Sequence, residues 1–415
     1  MNEQQENSEQ YEELKMDIAY IEDVEKKNRK RESRTFIRGG LCGMLFTLIF
    51  IAAIFMWKER NQTTNVLSDT MHVKKLELLE ELIDDYYLED KDEEALAEGL
   101  YTGLIYGLGD VYSRYYTAEE YQTVSEDSEG EYEGIGILMQ KQEDGSVCIE
   151  QCYENSPCAL AGIQEGDILI AVNGRAVKDM ELAEIVEEVK KTKDNSLILK
   201  IQREGEREQE ISVSVGEVEM PTVQSEMLED GIGYLAISEF KGVTLTQYEK
   251  NMEKLEEEGM ERLIIDLRDN PGGYLTSVCD VLSQILPEGL IVYIEDKYGN
   301  REETFCDGEN PLQIPLAVLI NENSASASEV FAGAVKDYGV GVLVGKTTYG
   351  KGVVQTIREL TDGSAVKLTI AKYYTPSGKN IHQVGVEPDI EVDQKSGEED
   401  YQLQRAIEAV KAAES

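Results

Sequence analysis

Residues 316–329 read Leu-Ala-Val-Leu-Ile-Asn-Glu-Asn-Ser-Ala-Ser-Ala-Ser-Glu, and their pattern is the clearest indication of the fold class. Its first five residues are apolar and predict a buried strand, and a helical run from Glu329 to Asp337 follows after a short polar loop. Such a strand, loop and helix belong to an α/β layer with parallel strands and helices on its faces. Strand-like and helical segments alternate upstream in the same way, at 232–240, 245–258, 262–268, 276–286 and 290–294.

The loop before the predicted helix contains three serines, of which Ser326 stands in capping-box register with Glu329. Ser324 and Ser328 have no acid or amide three residues further on. A serine at this position can simply cap the helix. It can also act as a nucleophile, because free N–H groups and the positive end of the helix dipole would stabilise an oxyanion there. These residues alone leave both interpretations open.

Two backbone segments are candidate donors for that oxyanion. Ala327 carries the N–H next to Ser326, and the Asn270-Pro-Gly-Gly273 turn follows another predicted strand at the same edge of the sheet. The N–H group of either Gly272 or Gly273 is therefore predicted to supply the second donor, and the sequence does not decide between the two. An ordinary glycine turn is the alternative interpretation of these residues.

A serine nucleophile needs a base, and the chain has only two histidines, His72 and His382. Lys351 is the predicted base, because a Ser–Lys pair is a known variant of the triad. A lysine accepts a proton only when it is neutral, and burial among apolar neighbours favours the neutral form. Gln355 would orient the amine by a hydrogen bond without adding a charge. A solvated surface lysine is the alternative.

The charge balance excludes one class of partner. The 415 residues include 40 basic and 83 acidic side chains, a net charge of −43, whereas nucleic acid requires a basic surface. No metal, nucleotide or organic cofactor is expected. The six cysteines form no Cys-x-x-Cys pair, which argues against a zinc site. Plain buried thiols are favoured over a disulfide among Cys148, Cys152 and Cys158.

An uncharged segment near the N-terminus predicts a membrane anchor. Residues 39–57 carry no charge, and 19 helical residues span the roughly 30 Å of a bilayer core. Basic residues precede the segment, so residues 1–35 are predicted as a cytoplasmic charged tail, 36–57 as a transmembrane signal anchor and the rest as extracytoplasmic. A cleaved signal peptide is the less favoured alternative. Residues 58–125 are predicted as a helical region suited to packing or dimerisation.

Several ordered motifs resemble the carboxyl-terminal processing peptidases, also called tail-specific proteases, from about residue 76 to the C-terminus. In that family the second serine of Ser-Ala-Ser-Ala-Ser is the nucleophile, the lysine of Gly-Lys-Gly is the base, and a glutamine orients the lysine. The resemblance implies these roles for Ser326, Lys351 and Gln355. Val111 and Tyr349 depart from the usual proline and phenylalanine. The motifs are residues 108–115, 267–273, 323–329, 344–355 and 374–381.

The middle of the chain resembles a PDZ domain. The resemblance lies in residues 155–162 and 166–174, within a region of short predicted strands and one helix, 180–191. It implies a loop whose backbone N–H groups hold a peptide carboxylate, formed by Gly134, Ile135, Gly136 and Ile137. An incoming tail would add as a strand beside this loop, and the helix would form the other wall of the groove. The alternative is that these glycines only form turns.

The family resemblance implies an α/β protease core with crotonase-like or Clp-protease-like layers over 217–395 and a PDZ domain inserted at 126–216. The residue patterns add a C-terminal helix at 396–415, an N-terminal helical region and one transmembrane helix. The expected function is that of a membrane-anchored extracytoplasmic serine endopeptidase. It would recognise unstructured C-terminal tails of proteins through its PDZ domain, and the resemblance suggests that it assembles as a homodimer or higher homo-oligomer. A catalytically silent PDZ scaffold is the alternative, and an acyl-CoA enzyme on a similar layer is a more distant one.

Overall fold

A computed structural model describes residues 65–191, 196–394 and 399–413. The chain divides into two compact units, residues 1–93 and 94–415. In the first unit, helix α1 (Thr70–Tyr86) follows a short 3-10 turn. Asp69 caps this helix, since its carboxylate accepts a hydrogen bond from the Met71 N–H at 2.9 Å.

Within residues 65–191, 196–394 and 399–413, no helix is both long and apolar enough to cross a membrane. The 17 residues of α1 extend about 25 Å, which is shorter than a bilayer core, and the helix carries charged residues throughout. This finding contradicts the predicted transmembrane helix and the predicted single-pass localisation at the cell membrane. The residues of the predicted anchor, 36–57, and of the predicted cytoplasmic tail, 1–35, lie outside the described part of the chain.

Two helices and a short strand lead into the second unit. They are α2 (Glu93–Tyr106), β1 (Arg114–Tyr116) and α3 (Ala118–Glu129). A complete capping box starts α3: the Thr117 hydroxyl accepts from the Glu120 N–H, and the Glu120 carboxylate accepts from the Thr117 N–H. One face of helix α3 lines the candidate site.

The segment that resembles a PDZ domain folds around a small antiparallel sheet with a core of its own. Leu197, Leu199 and Ile201 alternate with more exposed residues along one strand, so that strand buries a single face. The elements are β2 (Glu131–Gly134), β3 (Ile137–Lys141), β4 (Val147–Cys152), α4 (Pro157–Leu160), β5 (Ile168–Val172), β6 (Arg175–Ala176), α5 (Leu182–Lys190), β7 (Ser196–Gln202), β8 (Gln209–Ser214) and β9 (Gly216–Glu219). The strand order is β3-β4-β5-β7-β8, with β6 on β5, while β2 pairs with β9.

One cysteine pair in this segment differs from the prediction of plain buried thiols. Cys152 and Cys158 form a disulfide, with their Cα atoms 6.6 Å apart. The chain reverses between the end of β4 and α4 through Asn155, whose φ of 59° is in the left-handed region. This reversal brings together two cysteines that the six-residue spacing alone leaves undetermined. Cys148, Cys279 and Cys306 are free.

The rest of the second unit forms two larger sheets and four helices. The elements are β10 (Val223–Leu228), β11 (Ile232–Ile237), α6 (Thr244–Glu257), β12 (Arg262–Asp266), α7 (Leu275–Ser283), β13 (Gly289–Asp296), β14 (Arg301–Cys306), β15 (Leu316–Ile320), α8 (Ala327–Tyr338), β16 (Val342–Gly345), β17 (Val353–Glu359), β18 (Ala365–Tyr374), β19 (Ile390–Glu391) and α9 (Tyr401–Ala412).

The larger sheet has the order β10-β11-β12-β15-β16-β19 and is parallel except for the β10–β11 pair. Both of its faces are covered. Leu263 and Ile265 of β12 belong to the core that contains α6, α7 and α8, whereas Ile264 packs with Ala406 and Val410 of α9. Successive residues of a strand point to opposite faces, so the continuous apolar run of β12 serves both cores. This architecture is the α/β layer that the alternation predicts.

Strand β13 differs from the prediction, because it lies in the second sheet and not in the parallel layer. That sheet has the order β1-β18-β13-β14, with β17 on β18, and its pairs are antiparallel. Four residues, 297–300, join β13 to β14. Such a short connection permits only antiparallel pairing, since a parallel crossover needs a dozen residues or more.

Replacement of Asp167 by alanine tests the PDZ-like core. The Asp167 side chain is 1% exposed, and it accepts hydrogen bonds from Arg203 Nε and from the Gln164 N–H. Burial raises the pKa of Asp167, but these hydrogen bonds outweigh burial and hold the pKa below its usual value. We expect Asp167→Ala to lower the local unfolding free energy by about 2–4 kcal/mol, measured by hydrogen exchange of the β5 and β7 amides.

The sign of the pH dependence follows from the lowered pKa. The stability that Asp167 contributes is present above the unfolded-state pKa of about 4 and is lost as the pH falls through the lower folded-state pKa. Asp179→Ala, at an exposed aspartate of the same segment, should change exchange little. Equal exchange in both variants would show that the buried pair is not important for this core.

Candidate functional site

Ser326 lies at the carboxyl edge of the parallel sheet, between β15 and α8. It has φ 54° and ψ −112°, a backbone conformation that is costly for a residue with a Cβ. The Ser326 N–H donates to the Glu329 carboxylate at 2.9 Å, and the Glu329 N–H donates to the main-chain carbonyl of Ser326 at 2.9 Å. The start of the helix is therefore held by main-chain contacts of Ser326 as well as by its capping box with Glu329.

A cleft of about 600 Å³ opens in front of Ser326, and we call it the Ser326 cleft. It is bounded by one face of α3, the loop after β12, the start of α8 and the hairpin of β17 and β18. Five of the residues singled out in the sequence line it together: Ser326, Ala327, Gly273, Lys351 and Gln355.

The buried carboxylate of Glu329 connects the Ser326 segment to the Lys351 segment. Glu329 has no exposed surface. Besides the Ser326 N–H, its two oxygens accept from the N–H groups of Gly350 and Lys351, both at 2.7 Å, and from the Thr348 hydroxyl at 2.6 Å. A buried carboxylate must have its hydrogen bonds satisfied, so these four donors hold the two segments in one arrangement.

Tyr373 of β18 forms a second connection between the same segments. Its hydroxyl lies 2.9 Å from the carbonyl oxygen of Ser326 and 2.5 Å from that of Lys351. Burial raises the pKa of Tyr373 well above its usual value, and the charge of Glu329 adds to this effect. The hydroxyl therefore stays protonated, and its one proton is shared between the two carbonyl oxygens.

The Lys351 side chain is half-buried in the cleft, and its Nζ lies 5.1 Å from the centroid of the Tyr112 ring. Burial lowers the pKa of the Lys351 amine, repulsion from Lys367 lowers it further, and attraction to Glu329 offsets part of the effect. Among the residues that the structure describes, no carboxylate forms an ion pair with this amine. The neutral form of Lys351 is thus more accessible than that of a solvated lysine.

Gln355 lines the cleft without a hydrogen bond to Lys351. Its amide nitrogen lies 3.3 Å from the carbonyl oxygen of Val353 and 3.4 Å from the hydroxyl oxygen of Thr369. Both distances are long for hydrogen bonds, so a rotation of the side chain has little to overcome. The ladder between β17 and β18 shifts register between Val354 and Gln355, which places Gln355 opposite Thr369.

The two glycines of the loop after β12 differ in whether their N–H groups are already hydrogen-bonded. The Gly272 N–H already donates to the side-chain oxygen of Asn270 at 2.8 Å, and Asn270 is completely buried. A Cβ on Gly272 would lie 2.9 Å from the Ala327 nitrogen and 2.7 Å from the Ser326 Cβ. Within the described residues, the N–H groups of Gly273 and Ala327 have no hydrogen-bond partner. Gly272 therefore leaves room, and Gly273 and Ala327 present free donors.

The predicted peptide-binding loop joins β2 to β3. Gly134 ends β2, Ile135 is 4% exposed, Gly136 has φ 76°, and Ile137 begins β3. The carbonyls of Ile135 and Gly136 accept from the N–H groups of Cys158 and Tyr153, both at 2.9 Å. These bonds hold the loop against the disulfide-linked segment.

The strand that follows this loop is an edge strand. β3 pairs with β4 on one side, and helix α5 packs nearby. Lys141 of β3 reaches the start of α5, where its amine donates to the Met180 carbonyl at 2.9 Å. The structure thus has the open strand edge and the neighbouring helix that a PDZ groove requires.

Four residues of the site were not recognised from the sequence, or only in another role: Asn270, Glu329, Lys367 and Tyr373. The capping register identifies Glu329 only as a partner of the helix start, and the Asn-Pro-Gly-Gly motif identifies Asn270 only as part of a turn. Lys367 and Tyr373 lie in a strand and have no local signal, because their importance comes from residues far away along the chain.

The site has the parts that acyl transfer requires: a hydroxyl, a half-buried amine and free N–H donors around one cleft. A family model of peptidase family S41 matches residues 231–392, and one of the PDZ domain matches residues 123–202. The chain is therefore a serine-type peptidase that carries a PDZ domain.

Two relatives from Bacillus subtilis (strain 168) define the family more closely. The carboxy-terminal processing protease CtpA is 32% identical over 356 residues, covering 84% of this chain and 76% of that protein. The carboxy-terminal processing protease CtpB is 35% identical over 325 residues, covering 77% and 68%. A solved structure of the photosystem II D1 C-terminal processing protease is 27% identical, with coverage of 77% and 86% and a TM-score of 0.45. The two Bacillus subtilis relatives show that the chain belongs to peptidase family S41, and both are named as carboxy-terminal processing proteases.

Replacement of Gly272 by alanine tests the role of the glycine loop. The new Cβ would press against the Ser326 segment and the Ala327 N–H, so we expect peptidase activity to fall at least about 100-fold, as on loss of an oxyanion donor. Gly259→Ala is the matched control, because Gly259 also has a positive φ, 87°, but no atom within 4 Å of its added Cβ. Similar activity of the two variants would contradict the assignment.

Proposed function

We propose that this protease is an endopeptidase in which Ser326 is the nucleophile and Lys351 the general base. The observation that carries the proposal is the single buried carboxylate of Glu329, which accepts hydrogen bonds from the main-chain N–H groups of both residues. Both residues line the same cleft. Side chains that must exchange a proton need such a fixed common support. The lowered pKa of Lys351 supports its role as a proton acceptor.

In the proposed reaction, the Ser326 hydroxyl attacks the peptide carbonyl while Lys351 takes its proton. The tetrahedral intermediate collapses when Lys351 returns that proton to the leaving amine, and an acyl-enzyme remains on Ser326. Water then attacks the ester with Lys351 again as the base, and the return of this proton from Lys351 to the Ser326 oxygen breaks the ester and frees the second product. One amine serves each step because it is alternately neutral and protonated.

The oxyanion of each tetrahedral intermediate would accept hydrogen bonds from the N–H groups of Ala327 and Gly273. Both groups border the Ser326 cleft and are free of other partners among the described residues. The Ala327 N–H also lies in the first turn of α8, where the helix dipole favours negative charge. Gly272 is assigned the role of a spacer, since its own N–H is bound by Asn270.

Gln355 is proposed to orient Lys351 once substrate is bound. Both side chains line the cleft, and the long contacts of the Gln355 amide leave it free to turn. An amide suits this role because its oxygen accepts a hydrogen bond from the amine without adding a negative charge, which would favour protonated Lys351.

We also propose that the PDZ domain binds the C-terminal tail of the substrate, with Gly134, Ile135, Gly136 and Ile137 around the terminal carboxylate. The support is the open edge of β3 directly after this loop, with α5 beside it. An extended tail can pair with such an edge through main-chain hydrogen bonds, so binding would require little sequence specificity.

Ser326→Ala and Lys351→Ala test the proposed pair. Each variant should lose at least about 1,000-fold in the rate of cleavage of casein and of an unstructured tail peptide, because neither residue can act without the other. Lys379→Ala, at an exposed lysine, is the control and should cleave like the wild type.

The inactive Ser326→Ala protein should retain peptides with a free C-terminal carboxylate, identified by mass spectrometry, better than their amides.

Each outcome of this comparison has a distinct meaning. Equal cleavage by the wild type and both variants would rule out the pair. No cleavage by any protein, with tail binding preserved, would favour the silent PDZ scaffold. Equal retention of acid and amide peptides would contradict binding of the terminal carboxylate.

The pH dependence of cleavage tests the role of Lys351 independently. Only the neutral amine accepts a proton, so kcat/KM should rise as the pH rises through the pKa of Lys351. Burial first, and then the charge of Lys367, lower this pKa, so the rising limb should lie below the value of about 10.4 typical of a free lysine. A profile that is flat from pH 6 to 10 would contradict the assignment.

A further inference from the structure

A second lysine lines the Ser326 cleft, and its only part in the proposed chemistry is to lower the pKa of Lys351. Lys367 lies on β18, half-buried, opposite Ile357 of β17 on one side and Arg114 of β1 on the other. It borders the same cavity as Ser326 and Lys351.

Lys367 is not neutralised by a carboxylate within residues 65–191, 196–394 and 399–413. The neighbouring cations are paired: Lys241, in the same cleft, lies 2.6 Å from Asp127 Oδ1, and Arg114 lies 2.8 Å from Glu120 Oε1. Acidic residues are abundant in a chain with a net charge of −43, yet none of those in the described ranges forms an ion pair with this amine. A partly desolvated charge without a counter-charge costs free energy, so folding alone gives no reason for it.

The strand register places Lys367 relative to the reacting groups. Gln355 faces Thr369, and Ile357 faces Lys367, so Lys367 lies one same-face step along the hairpin from Gln355. That step is roughly 7 Å, about the length of two residues of an extended peptide. A substrate held against this hairpin at Ser326 would therefore bring a side chain or its terminus near the Lys367 amine.

On the basis of the proposed function, we propose that Lys367 binds a carboxylate of the substrate inside the Ser326 cleft. The enzyme then prefers peptides with a negative charge within about two residues of the cleaved bond. The carboxylate comes either from an acidic side chain or from the C-terminus of a short tail, and the chemistry of recognition is the same. Lys367 is in this sense a specificity-determining residue, distinct from the base.

The position of Lys367 also has an effect on Lys351. Burial and then repulsion from Lys367 lower the pKa of the Lys351 amine. Removal of the Lys367 charge should therefore shift the rising limb of the kcat/KM profile to higher pH. A residue that only supported the fold would lower the rate without moving this limb.

The test uses pairs of internally quenched peptides that differ only in glutamate or glutamine at one position, scanned over two residues on each side of the cleaved bond. A second pair ends at the second residue after the bond as the free acid or the amide. For each pair, the ratio of kcat/KM is measured on the same enzyme preparation, so a partly misfolded variant does not affect the result. The wild type should prefer the charged peptide by about ten-fold at one position or at the free terminus.

Three variants of the full chain are compared. In Lys367→Met the preference should fall to about one, and in Lys367→Glu it should reverse. Lys372→Met is the matched control, because Lys372 is an exposed lysine of the same strand outside the cleft, and its preference should equal that of the wild type. The peptide pair that shows the effect identifies the source of the carboxylate.

An unchanged preference in Lys367→Met, or a wild type that does not distinguish any pair, would overturn the inference. That outcome differs from a failure of the proposed function, which would appear as full cleavage by Ser326→Ala. If Ser326→Ala is inactive and the preference is independent of Lys367, the nucleophile stands and only the carboxylate site is wrong.

Discussion

The geometry of the site depends on one buried carboxylate. Glu329 accepts hydrogen bonds from the Ser326 N–H at the start of α8 and from Thr348, Gly350 and Lys351 in the loop before β17. A charge in a fully buried position is costly unless every lone pair finds a donor, so loss of any of these contacts is opposed by the others. The strained backbone of Ser326 persists because this network over-determines it.

The same contacts explain why the site lies where the two large sheets meet. Ser326 follows a strand of the parallel sheet, whereas Lys351 precedes the first strand of the antiparallel β17–β18 hairpin. Tyr373, from the second strand of that hairpin, reaches the carbonyls of both residues. Neither sheet alone supplies a nucleophile, a base and donors. The parallel layer supplies the helix N-terminus and the glycine loop, and the hairpin supplies the amine and the wall along which a peptide would lie.

Local patterns predicted the parts of this arrangement with different success. The capping register singled out Ser326 from its near neighbours, and the scarcity of histidine in the composition led to Lys351. Neither argument needs the three-dimensional arrangement of the chain. The disulfide of Cys152 with Cys158 and the antiparallel sheet around β13 were not predicted. Both depend on how a turn directs the chain. The predicted transmembrane helix is contradicted within the described residues.

The sequence by itself determined the strand–loop–helix at 316–337, the presence of a PDZ-like segment, and the choice of Ser326 and Lys351 as candidates. The first of these and the choice of Ser326 follow from propensity and capping over a few residues, Lys351 follows from the scarcity of histidine, and the PDZ-like segment follows from resemblance to a known domain. The tertiary structure was needed to show that Glu329 serves two segments and that Lys367 borders the cleft. Among the described residues it also shows a free N–H on Gly273 but not on Gly272, and no carboxylate paired with Lys367. Burial and hydrogen-bond partners depend on chain segments that are distant in sequence and meet only when the sheets have formed.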